Sequence, residues 1–119
     1  MLISVDPSSA VSLADQVSAS VRRGLAEGVI RAGDRLPAAR EVAAALGINL
    51  HTVLRGYQQL REEGLVELRR GRGAVVTANA GPGRAQLVEQ VRALVAASRA
   101  QGLSDQETLE LIRSVQASG

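Results

Sequence analysis

The sequence predicts a mostly α-helical fold carrying one small β-hairpin, and three observations lead there. Tyr57 is the single aromatic residue among 119, so the core has to be assembled from Leu, Val, Ile and Ala, which suits packed helices. Five stretches carry helical patterning or helix-end signals,. One stretch, Val66 to Thr77, instead sets two β-prone runs about a glycine-rich turn,. The length allows one compact domain with an appendage, and not two independent cores,.

Taken in order, "SLADQVSASVRRGLAEGVI" places Leu13, Val17, Val21 and Leu25 on one helical face, with Ser12 as N-cap and an end near Gly28,. "RAGDRLP" is a turn entering a very short extended piece that Pro37 stops,. "AAREVAAALG" reads as a helix of about ten residues with Gly47 at its C′ position,. A second helix starts only a few residues later, capped by Asn49 and ending at Gly64. Its buried stripe is Val53, Tyr57 and Leu60; the opposite stripe is His51, Arg55, Gln58 and Glu62,.

Strands are expected at Val66 to Arg69 and Ala74 to Thr77, around a turn at Gly71 to Gly73,. "NAGPGRA" is a breaker cluster, and residues 79–84 are expected to be a linker between a domain at 1–78 and a two-helix segment at 85–119,. Leu87, Val88, Val91, Leu94 and Val95 mark the first of those helices, and Leu109, Leu111, Ile112 and Val115 the second. Between them Gly102 stops one helix, Ser104 caps the next, and Glu107 completes a capping box,.

Composition removes whole classes of function. There is no cysteine, which excludes disulfides, thiolate metal sites and thiol catalysis,. A single histidine, His51, supports neither a His-rich metal site nor a convincing Ser/His/Asp triad, and no carboxylate pair stands apart from the solvated helix faces,. The expectation is a non-enzyme with no metal and no cofactor. No positively charged start followed by an apolar run opens the chain, and no 18-residue apolar run occurs, so a soluble cytoplasmic protein without a membrane partner is expected,.

All 14 basic residues are arginine, against 12 acids. Their placement is uneven: residues 1 to 79 hold ten Arg and eight acids, residues 80 to 119 four of each. A polyanion-binding surface therefore belongs to the first part.

Helix, tight turn, helix at this spacing is a helix-turn-helix arrangement, in which Ala43 allows close approach, Gly47 permits the turn, and Ile48 and Val53 pin the second helix,. Those residues alone also fit an ordinary helical hairpin. The arginine-rich, glycine-tipped hairpin that follows makes the pattern the winged form of the motif. "ELRRGRGAVV" is no dinucleotide fingerprint, because the third glycine is missing and the order is turn then strand,.

The segment "GDRLPAAREVAAALGINLHTVLRGYQQLREEGLVELRRGRGAVV" closely resembles the GntR superfamily of bacterial transcriptional regulators, whose recurring pieces, "LPxxRE", "LGIN", "TV", "GLV" and "GRG", stand in order. With the short C-terminal helical pair, the chain looks like the YtrA-like subfamily over nearly its whole length. Three departures weaken local structure and leave DNA-facing groups intact: Ala38 and Ala39 replace a capping Ser, Ala32 a Pro before "GD", and Ala14 an aromatic.

The resemblance implies a sequence-specific regulator, most simply a repressor, that occupies a double-stranded DNA operator. It also implies control of its own gene and of neighbouring transporter genes. Asn49, Leu50, His51, Thr52 and Arg55, at the amino end of the second helix, are expected to face DNA,. Arg55 takes either a guanine edge or a phosphate, and both remain open. Leu50 either meets a thymine methyl or is an ordinary exposed leucine; His51 is a base or phosphate donor or simple polar surface. Arg40 corresponds to the family's backbone-holding arginine, unless it is paired with Glu41 or Glu62. At the wing, Arg72 is expected at the tip, entering a minor groove, with Arg70 and Gly73 beside it and one of Arg69 and Arg70 directed to phosphate or solvent,.

Two isolated helices of this length are marginal in water. The terminal pair is therefore expected to pack on its copy in a homodimer reading inverted half-sites, the alternative being that it folds back on its own chain. A small-molecule effector remains open, at the dimer interface, and none is identified. Two rivals stand beside this reading: a winged-helix module for protein or RNA, and a sequence-tolerant architectural DNA binder.

Overall fold

A computed structural model describes residues 2–119. The order is α1 (Leu13–Ala26), α2 (Ala39–Leu46), α3 (Leu50–Glu62), β1 (Val66–Arg69), β2 (Gly73–Val76), α4 (Pro82–Ala100) and α5 (Asp105–Ser118). The chain divides into two compact units, Met1–Gln86 and Leu87–Gly119.

In the first unit the helix ends form where local chemistry demands them. Ser12 Oγ accepts from the Asp15 N–H and Asn49 Oδ1 from the His51 N–H, so both helices are capped by side chains,. The start of α2 lacks a side-chain cap, as Ala38 dictates. Gly47 sits at φ 66°, ψ 35°, the left-handed conformation that lets the chain turn sharply between α2 and α3,.

The core is aliphatic. Val17, Val21 and Leu25 of α1, Val42 and Ala43 of α2, and Val53, Tyr57 and Leu60 of α3 are all buried, while Leu13 is half-buried. α3 packs on both α1 and α2. Ile3 also enters this core, and the Ser4 N–H donates to Ser20 Oγ at 3.2 Å. The opening residues, with no helical periodicity, gave no sign of that.

β1 and β2 pair antiparallel, Val66 with Val76 and Arg69 with Gly73. The second strand therefore lies one residue earlier than the Ala74 to Thr77 expected, and the turn is Arg70 to Arg72 instead of Gly71 to Gly73. Pairing Val66 with Val76 puts both into the core, and that register draws Gly73 opposite Arg69. Thr77 leaves the ladder, donating its N–H to Leu65 O and its hydroxyl to Gly64 O at 2.8 Å. The short extended piece before Pro37 joins the sheet edge: the Val76 N–H donates to Asp34 O at 2.8 Å and the Leu36 N–H to Ala74 O at 2.9 Å.

Pro82 opens α4, so residues 82–84 of the expected linker are helical, in keeping with proline's tolerance at a first helical position. In the second unit Gly102 turns the chain at φ 82°. Ser104 and Glu107 form a complete capping box at the start of α5,. The Arg99 guanidinium donates to both oxygens of Asp105 at 3.1 Å, which raises the basicity of Arg99 and holds Asp105 below the ordinary carboxylate value.

Candidate nucleic-acid interface

Three contacts set where α3 lies. Gly56 faces α1 so closely that a Cβ would come within 2.8 Å of Val17 Cγ1 and 2.9 Å of Ala14 O. The Ser18 hydroxyl donates to Gln59 Oε1 at 2.7 Å, and Gln59 Nε2 donates to Asp15 Oδ1 at 2.8 Å. The buried Arg22 donates to the Glu63 carboxylate at the carboxyl end of α3. None belongs to the predicted site residues. A lone glycine inside a helix costs about 1 kcal/mol against alanine, so Gly56 was a local signal of close approach between α3 and another helix.

Next to Gly56 along the helix, the Tyr57 hydroxyl donates to Pro37 O at 2.6 Å, tying α3 to the entry of α2. Burial first and the Glu41 charge second push that phenol above its ordinary ionisation range, so it remains a donor. With α3 held from both sides, His51, Arg55, Gln58 and Glu62 are exposed, as their stripe predicts, whereas Leu50 and Thr52 are half-buried. Asn49 is exposed, but its Oδ1 accepts the His51 N–H at 2.8 Å. Its amide NH₂ is thus the group left to meet a partner.

Arg40 is exposed on α2 and, among the described residues, makes neither of the ion pairs with Glu41 and Glu62 that its sequence position allows. Arg55 likewise has no ion pair among the described residues.

At the wing the Arg72 N–H donates to Arg69 O at 3.0 Å and closes a turn in which Gly71 takes φ 77°; a side chain in that conformation would be strained. Arg69, at the end of β1, donates to Glu67 Oε1 at 2.7 Å. That neutral pairing leaves Arg70 and Arg72 as the exposed arginines of the turn, with Gly73 exposed beside them. The wing and α3 border a common trough, lined among others by Leu54, Tyr57, Leu68 and Arg72.

Among the described residues no group of three or more His, Asp or Glu side chains could hold a metal ion, and no helix is long and apolar enough to cross a membrane.

The model of bacterial regulatory proteins of the gntR family matches residues 13–76, more than half of the chain and the whole run from α1 through β2. The chain belongs to the GntR family. It is, accordingly, a DNA-binding transcriptional regulator with a winged-helix domain. Among GntR relatives it is similar to the HTH-type transcriptional repressor YtrA of Bacillus subtilis, 29% identical over 98% of this chain and 93% of that protein. It is also similar to an HTH-type transcriptional regulator of Mycobacterium tuberculosis, 31% identical over 93% of this chain and 91% of the relative. Among solved structures it resembles YtrA from Sulfolobus acidocaldarius, a GntR-family transcription factor, with a TM-score of 0.61 and 27% identity over 98% of this chain and 97% of that one. The likeness to both YtrA proteins extends beyond β2 into α4 and α5.

Proposed function

We propose that this GntR protein is a repressor that binds an inverted-repeat operator as a homodimer, without a catalytic step, in the cytoplasm. Residues 1–78 bind DNA, 79–84 connect, the last three of them as the first turn of α4, and 85–119 dimerise. The observation that carries the DNA part is that Arg55 on α3 and Arg72 on the wing are both exposed and both without an ion partner among the described residues. In this reading the amino end of α3 enters a major groove with Asn49, Leu50, His51, Thr52 and Arg55 toward the bases. Arg72 enters the adjacent minor groove, Arg70 and Gly73 lie along the strand beside it, and Arg40 holds a phosphate.

Support for the dimer comes from α4 and α5, whose Leu87, Val91, Leu94, Leu109, Leu111 and Val115 are large apolar residues left exposed in the single chain. Burial of such side chains against a second copy is strongly favourable, and a two-fold dimer places two wings on two half-sites. An effector, if there is one, would bind where the copies meet.

A gel shift on the DNA upstream of its own gene, with random-sequence competitor and at two salt concentrations, tests the reading. A salt-sensitive shift with preference for the upstream fragment is expected. Absence of any shift would favour the protein- or RNA-binding module, and a shift without preference the architectural binder. Sedimentation of the free protein should give twice the chain mass.

A further inference from the structure

Between α3 and the wing lies an open trough of about 670 Å³. Its floor is apolar: Leu54 on α3 is 45% exposed and Leu68 on β1 is 61% exposed, with Tyr57 and Pro37 alongside. Neither leucine is needed by the core, and neither lies on the helix stripe that faces bases.

We infer that this trough seats the deoxyribose edge of the DNA strand running between the two grooves the protein occupies. This rests on the DNA reading above. If α3 lies in a major groove and the wing in the neighbouring minor groove, one sugar-phosphate strand separates them, and that strand must cross the corner between helix and wing. The corner has the surface such a strand needs. Sugar carbons meet Leu54 and Leu68, a neighbouring phosphate meets the Arg35 guanidinium, and Arg72 passes along the trough wall toward the minor groove; the lining sets these two cations against one carboxylate, that of Glu41. Arg35 stands on the strand-like piece that pairs with Val75 of β2, so its backbone is fixed to the wing. The two leucines act as a sequence-independent wedge that sets the depth and angle of the wing.

Leu54→Asn and Leu68→Asn, made singly, should each weaken binding about fivefold by the apolar area lost. The loss should be equal on the upstream fragment and on a random duplex of the same length, with an unchanged salt slope, because no phosphate contact is removed. Leu54→Met and Leu68→Met should bind as the unaltered protein does. Both positions are exposed, and unaltered circular dichroism should accompany each variant. The inference is overturned if the Asn variants bind as tightly as the parent while Arg72→Ala binds more weakly. It is overturned equally if the loss appears only on the upstream fragment, which would make the leucines base contacts. If the parent protein binds neither duplex, it is the underlying DNA reading that fails.

Discussion

Arg22 Nη1 donates to both carboxylate oxygens of Glu63, at 2.9 and 3.1 Å, with the Arg22 side chain 2% and the Glu63 side chain 14% exposed. The pair joins the middle of α1 to the carboxyl end of α3 across 41 positions of sequence. Its position matters for the proposed function because α3 is the helix that this reading sets in the major groove, and a helix pinned at its far end keeps its amino end in register.

Removing one partner of a buried ion pair strands the other charge, so Arg22→Ala should cost about 3 kcal/mol of stability in urea denaturation. Replacing both residues, Arg22→Met with Glu63→Leu, removes the charge together with its penalty and should recover most of that loss. A double variant as unstable as the single one would contradict this.

Gly56→Ala sets two effects against each other. Alanine gains about 1 kcal/mol of helix propensity, but its Cβ would meet Val17 and the Ala14 carbonyl below 3 Å, and overpacking costs about 1–3 kcal/mol. The obstructing atoms are backbone and a β-branched side chain, which cannot swing away. A net loss of about 1 kcal/mol and weaker DNA binding are expected; a higher melting temperature would show that α1 and α3 separate freely.

At the interface, Arg72→Ala should weaken binding to every duplex and lower the salt slope by about 1, the signature of a lost phosphate neighbour or groove cation. Arg55→Ala should weaken binding by at least about 1 kcal/mol. A slope flattened with sequence preference intact assigns Arg55 to a phosphate, and preference lost at one base pair assigns it to a guanine edge. Arg69→Ala, by contrast, removes a side chain already held by Glu67 and should change affinity least of the three.

The start of α5 should be acid-sensitive. Chiefly the hydrogen bond from the Ser104 backbone N–H, and then its side chain, hold Glu107 below its ordinary value of 4.5. A carboxylate with a depressed folded-state pKa contributes its stability above the unfolded value and loses it as pH falls through the folded one. The protection factor of the Ser104 amide should therefore fall as pH drops below the ordinary glutamate value of 4.5 and through the lower folded-state value. Glu107→Gln keeps an acceptor that does not titrate and should remove Glu107's share of that pH dependence, leaving the share of the Arg99–Asp105 pair.

Much of this molecule was legible before any tertiary contact was known. Ser12, Asn49 and Ser104 as caps, and Gly47 and Gly102 as stops, stand where the sequence puts them, because a cap and its hydrogen-bond partner lie within about three residues of each other. The buried stripe Val53, Tyr57, Leu60 and the exposed stripe through His51 and Arg55 follow from helical period alone. The glycine turn and the exposed arginines of the wing were equally legible in "RRGRG".

Contacts between distant positions were decided by the tertiary structure. Val66 facing Val76 sets the hairpin register and shifts the turn to Arg70–Arg72, since a strand's register answers to which face is buried,. The Glu67–Arg69 pair is local, two positions apart on β1, but it forms only once the strand puts both side chains on one face, and it takes Arg69 out of the set of free cations. Ile3 in the core, the approach of Gly56 to α1, and the meeting of Leu54 with Leu68 in one trough all join segments separated by many residues. Helical period and capping are written locally and survive in the one-dimensional text. The angle of α3 and the shape of the surface beside it arise from packing, which pairs residues by distance in space.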